Sequence, residues 1–133
     1  MSAIIKITSI KNDPAGKDTQ SKLNDEWVRI ENIGDQPENL SNWILTDWRP
    51  SQQHIHKYTI PMVLSNLNTW TLDPGELLFF MTGTGSNKFY AKTDKYPAQF
   101  HLFQNSSKFI WNNTGDTACL YNSSGNLVSQ LTV

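Results

Sequence analysis

Residues 24–47 read Asn24-Asp25-Glu26-Trp27-Val28-Arg29-Ile30-Glu31-Asn32-Ile33-Gly34-Asp35-Gln36-Pro37-Glu38-Asn39-Leu40-Ser41-Asn42-Trp43-Ile44-Leu45-Thr46-Asp47. Val28 and Ile30 alternate with Trp27, Arg29 and Glu31, the period-2 pattern of a half-buried strand. Gly34-Asp35-Gln36-Pro37 then breaks the run: glycine tolerates a positive φ, and proline fixes its own φ and lacks an N–H. A second strand begins at Trp43. Strand, turn and strand in 24 residues, with no 3.6-residue periodicity, point to an all-β protein.

The same grammar extends along the chain. Alternating runs are expected as strands at residues 3–10, 26–33, 43–47, 56–60, 77–81, 109–111, 117–121 and 127–133. Turn clusters such as Asn12-Asp13-Pro14-Ala15-Gly16, Asp73-Pro74-Gly75-Glu76 and Ser123-Ser124-Gly125-Asn126 bound them. Leu77-Leu78-Phe79-Phe80-Met81 is apolar at every position and reads as a central strand buried on both faces. Residues 88–107 mix charges and aromatics without a clear period and read as an irregular insertion. About eight short strands with a turn every 8–15 residues predict an immunoglobulin-like sandwich, filling residues 1–133 as one domain.

Composition narrows the function. The chain is 38% hydrophobic and 17% charged, enough apolar surface for a packed core. Eleven Lys plus Arg against twelve Asp plus Glu give a net charge of -1, so no long-range field steers the whole molecule onto nucleic acid or an anionic membrane. Cys119 is the only cysteine, which excludes an internal disulfide. The N-terminus enters strand-like alternation without an apolar signal core, and no run reaches membrane-spanning length; the expectation is a cytoplasmic protein. Asn39, Asn105, Asn112 and Asn122 match the N-glycosylation pattern, but chance matches are common in a chain this rich in Asn.

Several pieces, in order over most of the chain, resemble the lamin tail domain family. They are Asp25-Glu26-Trp27-Val28-x-Ile30-x-Asn32-x-Gly34, Leu40-Ser41-x-Trp43-x-Leu45-x-Asp47, His56-x-Tyr58-x-Ile60-Pro61 and Leu72-x-Pro74-Gly75-Glu76. At the C-terminal end come Trp111-Asn112-Asn113-x-Gly115-Asp116-Thr117-Ala118-x-Leu120-Tyr121 and residues 125–128. The resemblance implies an immunoglobulin-like sandwich acting as an interaction module, here a stand-alone member of bacterial type, with no catalytic motif of its own. It implies no cofactor. Residues 48–56 and 86–108 match none of these motifs, so individual specificity is expected there. The matching residues themselves read as fold determinants: Asn32-x-Gly34 and Asn113-x-Gly115-Asp116 carry short polar side chains that bond nearby backbone, and Trp43 and Trp111 fill the interior.

Catalytic and metal chemistry weigh less than their bland counterparts. His54 and His56 share one strand face and would need a third ligand, His101 or Asp47, to hold zinc or copper. Asp13, Asp18, Asp25 and Glu26 lack calcium-loop spacing. Cys119 sits mid-strand, away from the electropositive setting of a reactive thiol. No metal site and no catalytic residue is assigned. Aromatics beside cations are the stronger signal: Trp48 with Arg49, Trp70, and Lys88 and Lys92 interleaved with Phe89 and Tyr90. Trp beside Arg is a composition enriched at protein interfaces. Trp48 and Trp70 also suit stacking on sugars, and the basic-aromatic segment 88–101 suits a nucleic-acid backbone. A protein partner is favoured; a sugar or cell-surface ligand is the first alternative, and a DNA-associated role the second.

Overall fold

The computed structural model describes residues 2–11, 26–48, 57–60, 71–105 and 117–132. Among these, nine strands follow one another: β1 Ile5–Lys11, β2 Trp27–Asn32, β3 Ile44–Trp48, β4 Lys57–Thr59, β5 Leu77–Met81, β6 Lys88–Tyr90, β7 Gln99–Phe103, β8 Thr117–Tyr121 and β9 Leu127–Thr132. They form a five-stranded sheet in the order β1-β2-β5-β7-β6 and a four-stranded sheet in the order β4-β3-β8-β9. The two sheets make an immunoglobulin-like sandwich. Its neighbours are antiparallel except β5 and β7, which run parallel. Among the described residues no helix is long and apolar enough to cross a membrane.

Alternation explains which side chains go inside. Val28 and Ile30 of β2, Leu78 and Phe80 of β5, Leu102 of β7, and Leu45 and Leu120 of the facing sheet are all buried. Burying such a side chain contributes about 1.5–3 kcal/mol each. Trp43 joins them, 6% exposed, as its reading as an interior residue requires. Cys119 is likewise buried on β8.

Two expectations need correction. Residues 88–107 are not an irregular insertion: β6 and β7 lie within them. Gln99-Phe100-His101-Leu102-Phe103 does alternate, but its outward positions mix a polar, an ionisable and an aromatic residue, which blurs the period. The chain leaves β5, crosses the end of β7 and returns as β6, so β7 slots between them. Gln104 N–H donates to Met81 O at 2.8 Å and Asn105 N–H to Gly83 O at 2.9 Å, fastening that crossing. Secondly, β5 is central in its sheet, but only one of its faces is fully buried; Leu77, Phe79 and Met81 are half-buried on the outer side. The strand expected at 109–111, together with Trp111 and the Asn113-x-Gly115 turn, lies outside the described residues.

The end of β2 is held by one side chain. Asn32 is fully buried. Its Oδ1 accepts from the Gly34 N–H at 3.0 Å and the Ile4 N–H at 3.3 Å, and its Nδ2 donates to Gln36 O at 2.8 Å and Leu72 O at 2.9 Å. All four hydrogen-bonding positions of the amide are filled. Its backbone adds Gly75 N–H to Asn32 O at 2.8 Å. Gly34 must be glycine, because a Cβ there would collide with the backbone of Ser2 and Ile4. Gly75, at φ 84°, occupies the left-handed region that its turn before β5 requires.

Removing the amide leaves two carbonyls and two N–H groups without this partner, each costing about 1–3 kcal/mol where water cannot replace it. Asn32→Ala is expected to lower unfolding free energy by roughly 3 kcal/mol or more in guanidinium titration, with the m-value unchanged. Asn32→Asp, which keeps the acceptors but turns an oxygen toward Gln36 O and Leu72 O, is expected to be at least as damaging.

Candidate functional site

The four sheet edges are not equivalent. On one side of the sandwich β1 meets β9: the Ile7 N–H donates to Ser129 Oγ at 3.0 Å, at the bulge that interrupts β1 between Ile7 and Ser9. That contact occupies an edge donor. On the other side lie β4 and β6. Tyr58 of β4 sits between the sheets there, its ring edge-on to Phe80 at 5.0 Å and its hydroxyl bonded to the Asn87 side chain. Burial pushes its pKa up, and the Asn87 bond partly offsets that. Among the described residues, strand β6 pairs only with β7. All three of its residues are exposed, Phe89 at 43% and Tyr90 at 45%. Phe89 leans on Phe100 at 4.7 Å without being covered.

Tyr90 belongs to a second feature, a row of rings across the outer face of the five-stranded sheet. Trp27 on β2 stands edge-on to Phe79 on β5 at 5.2 Å; Phe79 lies 5.3 Å from His101 on β7; His101 lies 4.7 Å from Tyr90 on β6. Lys88 Nζ lies over the Tyr90 ring, 5.9 Å from its centroid, within cation–π range. Strand register produces the row: Phe79 pairs with Arg29 and His101, and His101 pairs with Lys88. The His101 ring contacts Gln99 Oε1 through Nε2 at 2.7 Å. Burial among the rings lowers its pKa below the ordinary value.

Of the residues singled out in the sequence, Lys88 is exposed on β6 and Lys92 is exposed just beyond it. Trp48 ends β3, and its side chain lies outside the description; Arg49, Trp70, His54 and His56 lie outside the described residues. The structure instead brings together Trp27, Phe79, His101 and Tyr90, which the sequence reading did not connect. Period 2 places each on the outward face of its strand, but the parallel β5–β7 pairing that aligns them comes from residues 22 positions apart (Phe79 and His101).

Buried acids have structural partners. Glu26 is fully buried, and its Oε1 accepts from Thr82 Oγ1 at 2.7 Å. Asp47 is fully buried opposite Ala118 in the β3–β8 register. Among the described residues no three His, Cys, Asp or Glu side chains converge as a metal site would need.

His101 gives a pH dependence. Its folded pKa lies below the unfolded value, so the unfolded chain binds more protons as pH falls, and the stability present above about pH 6.5 declines toward the folded pKa. The melting temperature is expected to hold above about pH 6.5 and to fall as pH drops below it, and His101→Phe is expected to flatten that fall.

The family model for the Lamin Tail Domain matches residues 2–133. No curated protein matches the chain.

Proposed function

The chain belongs to the lamin tail domain family, and from that premise we propose that it is a non-enzymatic interaction module whose partner is a protein. The observation that carries this reading is the position of β6 as the last strand of its sheet among the described residues. A strand with a neighbour on one side only offers backbone groups to an incoming extended segment. Here that strand carries the exposed rings of Phe89 and Tyr90 and the exposed Lys88. The opposite edge has no such freedom, because β9 lies against β1. Tyr96, in the connection from β6 to β7, is 63% exposed.

An added strand would place alternate side chains on the two sides of the sheet. One set would meet Phe89 at the mouth between the sheets, and the other would meet Lys88 and Tyr90 outside. Lys88 is thus a contact residue in this reading, and Lys92 lies next to the same strand. The sugar reading relied on Trp48 and Trp70, and nothing in the described surface adds to it.

Selection of a displayed random-peptide library on the immobilised domain tests the reading. Peptides of alternating pattern are expected to be enriched, and Phe89→Lys is expected to weaken them tenfold or more while leaving the melting temperature within a few degrees. Enrichment of nothing, or of peptides indifferent to Phe89→Lys, would contradict an edge-strand site.

A further inference from the structure

The outer face of the five-stranded sheet carries an uneven charge. Among the described residues, register and alternation put Lys6 and Lys11 of β1, Arg29 of β2 and Lys88 of β6 on this face, with Glu31 as the single carboxylate. Four cations against one carboxylate give the described residues of this face +3, whereas the chain as a whole is -1. The middle of the face is apolar: the ring row, flanked by Leu77, Met81 and Phe103, all half-buried. Aromatic residues, Met and Arg at the centre with Lys at the margin is the composition of a protein interface.

We propose that this face docks an acidic protein segment, apolar residues on the ring row and carboxylates on Lys6, Lys11, Arg29 and Lys88. The proposal rests on the protein-binding reading above and names the chemistry of the partner.

Three other occupants fit less well. A second copy would set +3 against +3. A neutral sugar has no use for the cations. A single-stranded nucleic acid would need open ring faces for its bases, but Trp27 stands edge-on to Phe79 at an interplanar angle of 81°, Phe79 and Tyr90 flank His101, and Lys88 covers Tyr90. The rings pack on one another and form a platform rather than a set of free stacking slots. Arg29 Nε donates to Thr8 Oγ1 at 3.0 Å, which holds the guanidinium over the sheet beside Phe79.

Size is consistent with the β6 edge being part of the same site. Five strands at about 4.8 Å spacing span roughly 20 Å, and three rows of outward residues span roughly 15 Å. That footprint is less than half of the ~800 Å² per partner of a stable interface. A segment that also pairs with β6 would enlarge it without leaving the surface.

Amide chemical-shift titration of isotope-labelled protein is the test, with a synthetic peptide alternating Glu and Leu as the probe. The proposal expects shifts concentrated at outward residues of β2, β5, β7 and β6, no comparable shifts with a Lys–Leu peptide, and affinity weakened tenfold or more in the double variant Lys6→Glu, Lys88→Glu. Both substituted residues are exposed, so folding is expected to persist. No shifts with the Glu–Leu peptide, shifts elsewhere on the molecule, or equal affinity in the double variant would overturn it. So would an oligothymidylate that shifts the same face at lower concentration than the peptide. The edge-strand reading is judged separately through Phe89→Lys, because Phe89 points to the inner side of the sheet. Peptide capture that depends on Phe89 alongside a silent outer face would overturn the acidic-face proposal alone.

Discussion

One buried carboxamide organises the end of the sandwich from which both sheets depart. Asn32 closes β2 and, through four side-chain hydrogen bonds, ties the strand end to the segment entering β1, to the turn at 34–36 and to the bridge at Leu72. A carboxamide is the one short side chain with two donors and two acceptor positions in a plane. Asp lacks the donors, Ala lacks both, and the two accepting atoms are carbonyls while the two donating atoms are N–H groups, so only one orientation of the amide fits. Gly34 brings the N-terminal segment close enough for the arrangement to form. Glu38 and Leu72 then exchange backbone hydrogen bonds at 3.1 and 2.8 Å, and the chain crosses from one sheet to the other between them.

With that end fixed, the rest follows from registers. β2 sets β5, β5 sets β7 in parallel, and β7 sets β6. The inner faces of these strands build the core. Their outer faces bring a tryptophan, a phenylalanine, a histidine and a tyrosine side by side from four strands. The exposed β6 edge and the ring row are therefore consequences of the same ladder, and both end at Tyr90.

Much of this was legible in the chain. The Asn32-x-Gly34 pair was readable as turn chemistry, and Gly75 and Gly125 as turn positions, because the demand for a positive φ is local. Trp43 was readable as interior; Cys119 was readable only as partly buried, because alternation places it on the face opposite Ala118 and Leu120, and yet it is buried. The reach of Asn32 to Leu72, 40 residues on, was not: nothing local says that a turn residue will be buried and shared among distant segments. β6 and β7 were missed because outward positions on a half-covered face accept Gln, His and Phe alike. Trp48 and Trp70 stand out in the sequence as isolated aromatics, whereas the ring row depends on pairing between strands that are not neighbours in the chain.

Asn32 joins these segments into a single cooperative unit. Native-state hydrogen exchange of the Ile4 and Gly34 amides tests it most directly, since both lie outside the strand ladders and bond to the Asn32 side chain. Both are expected to exchange as slowly as core-ladder amides such as that of Ile30, with an opening free energy equal to that of global unfolding. Exchange of Ile4 and Gly34 by a fast local opening, while the Ile30 amide stays protected, would contradict it.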